Sequence, residues 1–155
     1  MWLLCSLLGL ASSMLIIWQD IKSRKINNWI LFCFGLAGIG WQLLYEPVLG
    51  WIHISFSLAL ALFILVIVGV WAYLAGKQEW LDNHMGISDI SMLIGIACWF
   101  SPEHFLFFYT LSAGSALVII NLLVTYKVIK DGTKVPLAAL LGIIFVGDMA
   151  WHLIG

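Results

Sequence analysis

The sequence predicts an all-α membrane protein: a bundle of about six transmembrane helices with both termini on the outer side. Three observations carry this reading. The chain has 155 residues, 63% hydrophobic and only 10% charged, with a mean hydropathy of +1.07, far outside the range of soluble domains. Its uncharged runs approach the roughly 20 helical residues needed to cross about 30 Å of hydrocarbon. All of its Lys and Arg residues fall in three short connections, which gives the bundle a sidedness.

The first three spans are read at Met1 to Gln19, Ile26 to Tyr45 and Pro47 to Gly76. The fourth uncharged run, Ile90 to Pro102, covers only about 20 Å, so its helix is expected to begin earlier, near Asn83. That start leaves Asp89 on the order of 10 Å inside the membrane boundary. The fifth span is Phe105 to Tyr126, and the sixth runs on from Val135, interrupted by Asp148.

Lys22, Arg24 and Lys25 follow the first span, Lys77 the third, and Lys127, Lys130 and Lys134 the fifth, so these connections are expected in the cytoplasm. Trp2, Trp41, Tyr45, Trp51, Trp99 and Trp151 stand near the outer ends of their segments. Trp18, Trp29, Tyr73, Trp80 and Tyr126 stand near the inner ends, as an aromatic belt at each interface requires.

No polar stretch is long enough to fold alone, which predicts a single membrane domain over residues 1–155. The net charge of −1 and the scattered basic residues leave no footprint for nucleic acid. Cys5, Cys33 and Cys98 lie inside apolar runs with no CxxC pair and no histidine at ligand spacing; they are expected buried and reduced, with no metal site. Met1 to Gln19 lacks a basic start and a small-x-small cleavage site, so this segment is expected to stay as a span.

Two acids share one depth: Asp20 closes the first apolar run on the cytoplasmic side, and Asp89 lies just inside the same side. An ionisable group within a span is costly and usually faces the bundle interior. For Asp20 an interfacial ion pair with Lys22 or Arg24 is the plainer alternative. If the two acids are neighbours, both cannot readily ionise; one keeps its proton while the other acts as a base, the arrangement of an aspartic-peptidase dyad. Such a dyad activates water without metal or cofactor.

The residues around these acids carry a resemblance. Asp20-Ile-Lys-Ser-Arg24-Lys-Ile26-Asn-Asn28 resembles the first loop of type IV prepilin peptidases, an Asp followed by a basic loop and Ile-Pro-Asn. Gly86-Ile-Ser88-Asp89-Ile-Ser-Met-Leu93 is similar to their Gly-x-Gly-Asp-x-Lys-Leu motif, and Lys134-Val-Pro136-Leu to their Lys-x-Pro-Phe segment. All three stand in family order. The resemblance implies that Asp20 and Asp89 are catalytic, with Arg24, Asn28, Gly86, Ser88, Lys134 and Pro136 supporting them or lining the substrate cleft. It further implies a six-helix domain of the inner membrane that cuts leaders from prepilin- or pseudopilin-like substrate helices. The sequence departs at Asn27 for Pro, Ser88 for Gly and Ser91 for Lys. The paired CxxC loop that larger members link to methyl transfer from S-adenosylmethionine has no counterpart, so a stand-alone peptidase is expected.

Other polar residues are assigned to structure. Asp148 and His152, four apart, are expected to satisfy each other near the outer interface; His84 is a loop residue, and His53 and His104 belong to the outer interface. Gly35, Gly38, Gly40 and Gly114 are assigned to close helix packing. The competing class is a non-enzymatic membrane protein, either a relative that has lost catalysis or a proton or ion conductor using its intramembrane acids. The expected partners are the substrate helix and the bilayer, with oligomerisation left open.

Overall fold

Along the first apolar run the small and polar residues recur every three or four positions, and this stripe is the side that turns inward. Ser6, Gly9, Ser12, Ser13, Ile16 and Asp20 are buried on helix α1, Trp2–Ser23, while Leu4, Leu8, Met14 and Trp18 face out. In a bundle whose surroundings are as apolar as its core, small residues at helix interfaces let backbones approach. The same periodicity that buries the serines carries Asp20 to the inside of the last turn.

The computed structural model describes residues 1–23, 26–76, 87–126 and 137–154. Among them are α2 (Asn28–Tyr45), α3 (Gly50–Leu74), α4 (Ile87–Ala97), α5 (Pro102–Thr125) and α6 (Leu137–Ile154), and no strand. Among the described residues the fold is all-helical, with six helices, and α1, α2 and α3 are long and apolar enough to cross a membrane. The short α4 is central, packing against α2, α3, α5 and α6, while α1 packs between α2 and α6.

Asn27 starts α2: its side chain accepts from the Trp29 N–H at 3.0 Å, and its own N–H donates to Gln19 Oε1 at 2.9 Å. Gly50 follows a tight α2–α3 turn; a Cβ there would stand 2.9 Å from the Gln42 carbonyl oxygen. Pro102 opens α5, where its missing N–H costs nothing.

Helix four does not run to Pro102. It stops at Ala97 and turns through residues 98–100, because Trp99 folds inward and is only 2% exposed. Its ring lies against Gly9 of α1 and Gly38 of α2, where a Cβ would come within 2.3 Å and 2.7 Å of it. The indole N–H donates to the Phe34 carbonyl at 3.0 Å, and Phe34 and Phe145 pack against the ring. The turn's carbonyls are satisfied from the neighbouring spans: Gln42 Nε2 donates to Trp99 O at 2.9 Å, and Ser57 Oγ to Phe100 O at 2.8 Å. A helix can end inside a dry bundle only if its last carbonyls find such donors.

Trp99 is thus a core residue and not part of an outer belt. The expected start near Asn83 lies outside the described residues, as does Trp80. Trp51, Tyr45 and Trp151, and Trp18, Trp29, Tyr73 and Tyr126, are exposed as belt residues should be. Of the glycines assigned to packing, Gly38 meets Trp99 and Gly40 meets Cys5, but Gly35 and Gly114 have no described atom within 4 Å of an added Cβ. Cys98 is buried, Cys5 half-buried and Cys33 exposed on the bundle's outer surface, so the cysteines do not share one environment.

Candidate active site

Three helix ends meet where the sequence places its two acids. Asp20 lies in the last stretch of α1 and Asp89 in the first turn of α4, and they are only 4% and 7% exposed. On α4 the core face reads Asp89, Met92, Leu93 and Ile96, so the packing that buries this central helix also turns the carboxylate inward.

Between them stands the beginning of α6. The Ala139 N–H donates to Asp20 Oδ2 at 2.8 Å, and the Ala138 N–H to Asp89 Oδ1 at 3.1 Å. These are the second and third residues of the helix, whose amides have no partner within it, and they sit at the positive end of its dipole. The donors are consecutive, so two carboxylates from helices far apart in sequence are held one peptide unit apart. Ala138 and Ala139 are fully buried, and their small side chains let α6 descend onto both acids. Gly142, one turn further on, brings α6 close to Ile17 of α1.

The arrangement provides two carboxylates side by side, screened from solvent and oriented by backbone donors. That is what a general acid and a general base acting on one water require. Among the described residues no group of three or more His, Cys, Asp or Glu side chains is placed to hold a metal.

The remaining sequence-derived site residues fall in three places. Asn28 opens α2 and is exposed near the same end of the bundle. Ser88 lies in the first turn of α4, directly before Asp89. Arg24, Gly86, Lys134 and Pro136 lie outside the described residues, as does His84. Asp148 is half-buried on α6 and lines a cavity with His104 of α5. At the far end of the bundle from the carboxylates, His53 pairs with Glu46 at 3.2 Å and His104 meets Ser101 at 3.2 Å.

Sequence reasoning missed the amides of Ala138 and Ala139. Backbone donors have no side-chain signature; the only trace is a pair of small residues at the entry of an otherwise bulky apolar run. It also missed Gln42 and Ser57, whose signal was a polar side chain inside a span.

No curated protein and no solved structure gives a significant match to the chain. A family model described as the type IV leader peptidase family matches residues 6–123, a stretch that takes in both Asp20 and Asp89. With more than half of its 155 residues matched, and with the paired acids inside the matched part, the chain belongs to the type IV leader peptidase family.

Proposed function

We propose that this chain is an aspartic endopeptidase of the inner membrane that cuts the leader from prepilin-like substrates at the cytoplasmic face. Asp20 and Asp89 form its catalytic pair. One observation carries the reading: two buried carboxylates, one from α1 and one from α4, rest on the consecutive amides of Ala138 and Ala139.

In the proposed reaction the pair holds one proton between its two carboxyl groups. The ionised member takes a proton from a water that attacks the scissile carbonyl, while the protonated member donates to the carbonyl oxygen. The proton gained by the base then passes to the leaving amine, and the roles exchange. The α6 amides keep each carboxylate oriented through both steps. All six helices are taken as spans, with both termini outside, and no methyl transfer accompanies the cut.

A conductor that relays protons between acids is the reading from another class. The packing disfavours it, because Phe34, Trp99 and Phe145 fill the interior between the aspartate end and Asp148. The test is co-expression with a panel of prepilin-like substrates, read by gel shift, for wild type, Asp20→Asn and Asp89→Asn. Wild type cuts, and each variant loses roughly a hundredfold to ten-thousandfold in rate. Full activity in either variant would falsify the pair.

A further inference from the structure

A groove runs along the outside of the bundle between α2 and α4, with a volume of about 320 Å³. Asn28, Phe32 and Gly35 line it from α2, and Ser91 and Gly95 from α4, with Cys98 in the turn just beyond. On each helix these positions repeat every three or four residues, so each contributes one continuous stripe. The wall continues along α2 to Ile39, which gives a length of about 16 Å, or three helical turns.

The groove's mouth lies at the aspartate end. Ser91 follows Asp89 by two residues on the opposite side of α4, and Asn28 follows Asn27, whose N–H is held by Gln19, the residue before Asp20. The α4 wall therefore adjoins Asp89 along its own helix, and the α2 wall is tied beside Asp20 through the hydrogen bond from Asn27 to Gln19. Beyond the mouth the lining is almost wholly apolar, and Gly35 leaves open space where other residues would carry a side chain.

We infer that this groove seats the apolar helix of the substrate, running parallel to α2 and α4, so that its leader passes the ends of those helices to reach Asp20 and Asp89. The inference rests on the peptidase reading and deepens it. A segment lying in hydrocarbon must satisfy its own backbone, so a peptide occupant is a helix. A glycine floor admits such a helix closely, because interhelical contact in lipid depends on small residues. Continuity with the carboxylates selects a helix whose cleavable end lies at the groove's mouth.

The test uses the full-length protein in vesicles of phosphatidylethanolamine and phosphatidylglycerol, with a synthetic peptide of basic leader followed by an apolar span of about 20 residues. p-Benzoylphenylalanine replaces Phe32 in an Asp20→Asn background, and Phe63 on the exposed face of α3 as control. Position 32 is expected to cross-link to the peptide's apolar span and position 63 not. In the otherwise wild-type enzyme, Gly35→Leu fills the groove and lowers cleavage about tenfold or more, equivalent to roughly 1.4 kcal/mol. Gly69→Leu, at an equally open position on α3, leaves cleavage unchanged. Adducts from position 32 only to lipid or to a second copy overturn the assignment, as does normal cutting by Gly35→Leu. Cross-linking from position 32 without cutting by wild type, on substrates that a related peptidase processes, sinks the peptidase reading and leaves the groove's occupant standing.

Discussion

Asn27 fixes the start of α2 with hydrogen bonds where the family pattern has the ring of a proline. Its φ of −72° lies within proline's range, and its side chain and N–H bind Trp29 and Gln19 instead. Asn27→Ala is expected to cost about 1 kcal/mol in thermal unfolding of the detergent-solubilised protein, the scale of a lost N-cap. Asn27→Pro is expected to stay within about 1 kcal/mol of wild type, because a stiffer unfolded chain offsets the lost bonds. Trp99→Ala, which empties the space over Gly9 and Gly38, is expected to cost about 3–5 kcal/mol in the same measurement. The two aspartates were legible because an acid inside an apolar run is costly enough to need a reason. The alanine amides that hold them were not, since every residue but proline carries an N–H.

The element with the most unusual chemistry is α4, which ends inside the bundle and relies on α2 and α3 for its last carbonyls. Gln42→Leu and Ser57→Ala each leave one buried carbonyl without its donor and are expected to cost about 1–3 kcal/mol in chemical or thermal unfolding. Unchanged stability in both would show that the turn finds other donors. By sequence the fourth helix runs from near Asn83, outside the described residues, to Pro102, which carries its end too far. A Trp near the end of an apolar run reads as an interface residue by composition, and only the two glycines opposite, 90 and 61 positions away in sequence by subtraction, reveal that it turns inward. Such a contact joins positions that no local pattern links.

At the scale of the molecule, six helices, their order and the meeting of two acids at one end followed from run lengths and from the depth of charges. The proposed orientation, with both termini outside, is expected to give periplasmic-side signals from reporter fusions at either end; a cytoplasmic signal from both would invert the bundle and the face of cleavage. A pair sharing one proton gives a bell-shaped pH profile for cleavage. On the proposed mechanism, cleavage measured across pH is expected to fall at low pH, where both carboxyls are protonated and no base remains, and at high pH, where both are ionised and no acid remains. Purified protein in vesicles carrying a pH gradient is expected to pass no protons above background.

The contact between Asp20 and the Ala139 amide closes a sequence separation of 119 residues. At a synthesis rate of about 5–20 residues per second, roughly 6–24 s pass between the making of the carboxylate and the making of its donor. Asp89 is made part-way through that interval, so for its last stretch the ribosome has delivered both acids but not the helix that orients them. On the proposed mechanism, cleavage by the nascent chain is expected to begin only once α6 has been made and inserted, which a time course of synthesis against substrate cleavage would check.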